Sequence, residues 1–297
     1  MSAHRIAKFV ALTLLALPLL SAPAVAAVVS PASDEQEGPE HGKINSPDAT
    51  PVDPGHFEAE AIYSYNSANR SWNNNGDGTS RGLISEHAAE FSFTAGLINN
   101  LDVAVSSSYN WLHDKDNDFD GDGNTGPTTG DAIGDLDVRA RYRFIQSEAY
   151  NLDVAYIGGL TIPTGTRSGD SRLGTSQEYW SLNQTVVASK DWGKWTANID
   201  AGFALPFGDR KGAARGTFNS DLAGGYQALP WLQPELELNY SRDFISAADD
   251  SEVLAVTAGL VMPISERLRI NTGIQQAFWG RNTDKTTTYS LAAKVAF

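Results

Sequence analysis

The sequence has no cysteine. That excludes a disulfide scaffold, a thiolate zinc site, a cysteine nucleophile and haem attachment through Cys-x-x-Cys-His. Basic residues are also few, 22 Lys and Arg against 36 Asp and Glu, giving a net charge of -14. A surface that binds nucleic acid needs Lys and Arg for its phosphate contacts, so no nucleic-acid partner is expected. Beyond the N-terminus no apolar run is long enough for a helical membrane span. Apolar residues make up 41%. That is slightly below the usual range and does not argue against a fold.

Residues 1–27 read as a secretory signal peptide. His4, Arg5 and Lys8 form a basic start, Phe9 to Leu20 an apolar core, and Ala24-Val25-Ala26 supplies small residues for cleavage. The export of a Cys-free chain means that its stability does not depend on oxidation. Residues 28–56 form an acidic N-terminal arm. Pro31, Pro39, Pro47, Pro51 and Pro54 prevent a regular element there. Its composition predicts a flexible segment, either disordered or lying against the body, with a partial plug as the alternative.

From Phe57 onward the chain alternates with a period of two, a strand signal and not a helix signal. In LDVRARYRF, Leu136, Val138, Ala140, Tyr142 and Phe144 face one way, and Asp137, Arg139, Arg141 and Arg143 the other. Twelve such segments are counted: 57–65, 86–96, 101–112, 131–144, 152–162, 178–189, 195–205, 217–227, 234–244, 252–262, 268–278 and 287–297. Ten or fourteen stay open, because 178–189 and 217–227 alternate least cleanly. Every other connection is short, and the intervening ones, such as 66–85 and 113–130, are longer. Strands of this length with loops that sort by length predict an all-β, antiparallel transmembrane β-barrel of twelve strands over 57–297, in the outer membrane. Trp192, Trp195 and Trp231 fall near the short turns, and Tyr63, Tyr65, Tyr109, Trp111, Phe278 and Trp279 near the long loops, as interfacial girdles do. The final YSLAAKVAF resembles the strand by which such barrels are recognised for insertion, which implies the barrel-assembly machinery as a partner. Outer-membrane lipid and lipopolysaccharide would surround the outer face.

If the apolar faces meet lipid, the opposite faces line a lumen. Twelve strands imply a backbone diameter on the order of 24 Å and a passage of roughly 10 Å or less, suited to a small solute. The predicted lining residues are Glu58, Glu60, Asp102, Asp135, Asp137, Arg139, Arg141, Arg143, Asp153 and Arg269, together with Glu86, Glu90, Asp200, Asp221, Glu235, Glu237 and Lys294. Three Arg on one strand make a positive ladder that needs acidic partners such as Asp102 and Asp153. Two readings stand side by side: a constriction that filters a solute, and a structural charge network that closes the barrel.

Asp116, Asp118, Asp120 and Asp122 alternate as in calcium loops, but the twelfth position is Pro127, so the EF-hand frame fails. A calcium site without that frame stands beside the plainer reading of a solvated acidic loop, bridged to lipopolysaccharide by divalent ions. A hydrolase at lipid level would need a nucleophile beside His87, and Ser85 and Glu86 give no such context. No catalytic residue and no cofactor is expected.

Three segments carry a family resemblance: SPDATPVDPGHFEAEAIYSY at 46–65, GDAIGDLDVRARYRF at 130–144 and GGLTIPTGTRSGD at 158–170. They resemble, in turn, the approach to the first strand, a Gly-Asp followed by an alternating basic strand (Gly134, Asp135, Arg139, Arg141, Arg143), and a strand ending in a Pro-Thr-Gly turn (Pro163, Thr164, Gly165). The chain is thus similar to the outer-membrane transporter family associated with the meta-pathway of phenol degradation. The resemblance implies a channel that passes small, often hydrophobic or aromatic compounds. The arm is longer and more acidic than the family leads one to expect.

Overall fold

The computed structural model describes residues 43–117, 126–169, 172–208, 215–245 and 249–297. The expected signal peptide and the first part of the arm lie outside the described residues, as do Asp118, Asp120 and Asp122 of the acidic loop.

Strands follow one another as antiparallel neighbours: β1 (Phe57–Trp72), β2 (Gly78–Ile98), β3 (Leu101–Asn117), β4 (Gly126–Ser147), β5 (Leu152–Ile162), β6 (Trp180–Trp192), β7 (Trp195–Phe207), β8 (Gly216–Tyr226), β9 (Gln233–Phe244), β10 (Ser251–Ser265), β11 (Leu268–Arg281), β12 (Thr283–Asp284) and β13 (Thr287–Ala296). β1 pairs with β2 on one side and with β13 on the other, which closes the sheet. The two-residue β12 continues the pairing of β13 along β1, at Ser71–Asp284 and Trp72–Thr283, so together they form one stave. The result is a closed barrel of twelve strands. Closure leaves no edge, so every strand finds its backbone partners without water.

The side chains are sorted inside out. Along the start of β9, Gln233, Glu235 and Glu237 are buried, while Leu236 and Leu238 are 60% and 42% exposed. Asp102, Asn198, Asp200 and Thr257 are buried on other strands, whereas Phe91, Val186, Ile199 and Leu222 are exposed. A protein dissolved in water buries the opposite set. Here the apolar belt meets hydrocarbon and the polar groups face one another.

The first four strands run 16, 21, 17 and 22 residues. That corrects the long loop expected at 66–85. β1 and β2 continue to a tight turn in which Asn73 accepts from Gly76 N and donates to Asp77 O, both at 3.0 Å. The expected loop 113–130 shortens likewise, since β3 runs to Asn117 and β4 begins at Gly126. Beyond the bilayer both faces of a strand meet water, so the ladder persists after the alternation has gone. At the other end the turns are tight. Asn100 and Asn151 take positive φ of 67° and 47° there, a region that Asn tolerates. Trp195 and Tyr226 pack 4.7 Å apart at this end, and Tyr109 and Trp111 do so at the long-loop end.

Candidate functional site: the barrel lumen

Residues 43–52 run inside the barrel. They form no strand, so their backbone N–H groups need partners, and the wall supplies them. Glu237 of β9 accepts from Ile44 N at 2.8 Å and from Asn45 N at 3.1 Å. Ser189 of β6 accepts from Ala49 N at 2.9 Å, and Asp102 of β3 from Val52 N at 2.9 Å. Side chains add to this. Ser46 donates to Asp200 at 2.8 Å and Asn45 to Thr257 at 2.7 Å, while Asn198 donates to the Pro47 carbonyl at 2.9 Å. Lys43 is buried against Thr196 and Glu235. Most of these anchors sit near the short-turn ends of their strands, so the arm fills that half of the lumen. Gly55 N donates to Gly96 O at 3.0 Å, where the arm passes into β1.

One seat is shaped by missing side chains. Gly259 and Gly273 are cross-strand partners on β10 and β11. A Cβ on them would sit 2.3 Å and 2.9 Å from atoms of Ile44. The glycine pair leaves the hollow that Ile44 occupies.

The arginine ladder divides three ways. Arg143 donates to Asp153 at 2.9 Å and to Asn100 at 2.8 and 3.0 Å. Arg141 bonds Asp102 through Nε at 3.1 Å and Asp48 of the arm through Nη1 at 3.2 Å. Burial alone would raise the Asp48 carboxyl. The charge of Arg141, then Lys294, the Thr50 N–H and Arg269 outweigh that and hold it below its ordinary 3.8. Arg139 is exposed into the lumen and, among the described residues, makes no hydrogen bond or ion pair. It lines a cavity of about 200 Å³ between the arm and the wall of β1 to β5, β11 and β13. Glu58, Glu60, Asp102, Arg141 and Arg269 line the same cavity. Lys294 closes its pair with Glu58 at 3.1 Å.

Asp135 and Asp137 stand apart from that cavity. Asp137 accepts from Thr161 on β5. Asp135 accepts from Gly165 N at 3.0 Å and Gln177 N at 2.8 Å, and Thr164 donates to Gly134 O at 3.2 Å. One carboxylate thus ties both ends of the 163–179 connection. That connection bends in against β4, where a Cβ on buried Gly130 would meet Leu173 O at 2.0 Å. Ser168, Leu173 and Gly174 close a second cavity of about 210 Å³ with residues of β1, β2 and β3. The Gly-Asp and Pro-Thr-Gly segments, separate in sequence, form this one clamp.

Of the acidic loop, Asp116 is described. It is an exposed residue of β3 whose N–H bonds Asp114 at 3.0 Å. His87 faces outward with Tyr63, whose hydroxyl lies 2.7 Å from its Nδ1. Sequence reasoning named the wall acids Asp200, Glu235 and Glu237 only as lining, and did not name Lys43 or Ile44. Glu237 accepts from the backbone N–H groups of Ile44 and Asn45, which leave no mark in a sequence, while Ser46 and Lys43 of the arm meet Asp200 and Glu235. The regular Gln-Pro-Glu-Leu-Glu-Leu alternation at 233–238 was the available signal.

The family model described as "Putative MetA-pathway of phenol degradation" matches residues 93–293. The chain belongs to this family. The match runs from the end of β2 to β13 and takes in the whole clamp of residues 134–135 and 163–165, while the arm precedes it. Among solved structures, an outer membrane channel from Pseudomonas putida F1 superposes with a TM-score of 0.72 at 17% identity, over 86% of this chain and all of that one. The KdgM porin follows with a TM-score of 0.48 at 8% identity, over 80% of this chain and 99% of that one. The sequence matches no curated protein. The family member described here is an outer-membrane β-barrel of twelve strands.

Proposed function

We propose that the chain is an outer-membrane channel for small solutes, held closed at its short-turn, periplasmic end by residues 43–52. The observation that carries this reading is how the arm is held. It has no strand pairing inside the lumen and hangs on wall side chains, chiefly Glu237, Asp102, Asp200 and Ser189. Bonds of that kind exchange with water one at a time, so the arm can shift without breaking the barrel. The cavity beside it is of small-solute size. The family description adds compounds of phenol degradation as candidate solutes, and the channel likeness of the Pseudomonas putida structure agrees. Residues 1–27 act as the export signal, the barrel-assembly machinery inserts the chain, and lipid and lipopolysaccharide contact the outer belt.

The test is single-channel recording in planar bilayers, with the full chain and with residues 43–52 deleted. Discrete conductance that rises on deletion is expected. Bilayers that stay silent with folded protein, even after deletion, would sink the channel reading. They would favour the alternative of a structural barrel closed by its charge pairs, to which the Arg143–Asp153 and Lys294–Glu58 pairs already belong.

A further inference from the structure

The cavity beside the arm carries charges of both signs, and most are already matched. Lys43 pairs with Glu235, Arg141 with Asp48 and Asp102, and Lys294 with Glu58. Four charged lining groups are left outside these pairs: Arg269, whose charge acts on Asp48, and Arg139, Glu60 and Glu90. Arg139 makes no hydrogen bond or ion pair among the described residues, and Glu60 and Glu90 make no ion pair there. The strand register shows how they are arranged. Arg139 lies level with Ala104, Thr94 and, across β2 and β3, Glu58. One step along, Ser106 and Ser92 lead to Glu60. Thr94, Ala104, Ser92 and Ser106 therefore leave a trough between Arg139 on β4 and Glu60 on β1, with Glu90 of β2 beside it and Asp137 of β4 level with Glu60. β4 lies two strand spacings from β2, on the order of 10 Å, and three from β1, on the order of 14 Å, and long side chains narrow the gap. The rest of the lining includes Ile44, Ile62 and Ile157.

We propose that this trough is a binding site for a small zwitterionic solute with an apolar body. Its anionic group sits on Arg139, its cationic group between Glu60 and Glu90, and its body against the three isoleucines. An anion alone would be repelled by the two carboxylates, and a cation alone by Arg139. A solute with both charges satisfies both banks. The proposal deepens the channel reading by naming a solute class, but binding does not require conduction.

The test is calorimetric titration of the purified full chain in detergent with three phenyl-bearing probes: phenylalanine, benzoate and benzylamine. Phenylalanine is expected to bind more tightly than either singly charged probe. Arg139→Gln should weaken phenylalanine by about tenfold, the worth of one charge-assisted hydrogen bond, and not weaken benzylamine. Glu60→Gln combined with Glu90→Gln should weaken phenylalanine and benzylamine and tighten benzoate. The heat-dependent gel shift of a folded barrel checks each variant, and Arg139→Lys, which keeps the charge, should retain part of the binding. Phenylalanine binding no tighter than benzoate, or indifferent to Arg139→Gln, overturns the site. Bilayer recording on the same samples separates the two readings. Conductance without zwitterion binding removes the site and keeps the channel, and binding with silent bilayers does the reverse.

Discussion

The lumen is filled from both ends by segments without regular structure, and they are held in different ways. The arm at the short-turn end is spread over anchors on β3, β4, β6, β7, β9 and β10. The 163–179 connection at the long-loop end is gathered onto one strand, β4, through the Asp135 carboxylate and the carbonyls of Thr129, Asp131, Ile133 and Gly134. Both use the same chemistry, a wall carboxylate accepting backbone N–H groups, each bond worth about 1.5–3 kcal/mol when the acceptor is charged. The distribution sets the response to damage. A segment anchored on six strands loses a fraction of its docking when one contact goes, while a segment anchored on one strand moves with that strand. The arm therefore behaves as a graded plug and the loop as a latch.

The largest expected effect comes from removing the distributed plug outright. Deleting residues 43–52 should raise single-channel conductance severalfold, and an unchanged conductance would move the limiting constriction to the loop. Next is the latch. Asp135→Ala removes two charge-assisted bonds at once, about 3–6 kcal/mol of local anchoring. Amide exchange at Gly165 and Gln177 should rise sharply while exchange at Ile44 and Val52 stays as it was. A smaller effect is expected from Glu237→Gln, which keeps an acceptor for Ile44 and Asn45 but not its charge. It should cost about 1 kcal/mol of arm docking, read as faster exchange at those two amides only. If Glu237→Gln frees the whole arm, docking is not graded and the contrast between the two segments fails. The smallest effect is that of acid on Asp48. Its folded value is depressed, so its contribution is present above the unfolded value near 3.8 and is lost only as pH falls through the lower folded value. Taking the protein from pH 7 to pH 5 should leave the protection of the Thr50 amide, its exchange relative to the intrinsic rate at each pH, unchanged, and a marked loss of protection would show that Arg141 does not hold Asp48.

The barrel was legible because alternation is a direct imprint of a wall with two different solvents. Leu236 and Leu238 against Glu235 and Glu237 make the point within four residues. The imprint fades where water reaches both faces, which is why β1 and β2 extend to Trp72 and Gly78 through sequence that reads as loop. The charged ladder was legible as a ladder, but its three arginines could not be ranked from sequence. Arg143 is tied to Asp153, Arg141 to the arm, and Arg139 to neither, and only register and the position of the arm separate them. Asp135 looked like another lining acid. Its partners are the amides of Gly165 and Gln177, set by a loop conformation that residue spacing does not reveal.

The seam of the barrel has a kinetic consequence. Phe57 and Phe297 exchange backbone hydrogen bonds at 2.8 and 2.9 Å, Phe57 stacks between Phe93 and Phe297, and the nearby Lys294–Glu58 bond joins residues 236 positions apart. Every other ladder in the sheet can form between neighbours in the chain, but this one has to wait for both ends to meet. Bringing distant segments together carries the largest loop-closure entropy of any contact in the fold, so it belongs late in folding. Until the seam shuts, β1 and β13 each present a bare edge, the part of a sheet most prone to pair with the wrong chain. The slow, exposed interval in this protein's life is the one before its last strand finds its first.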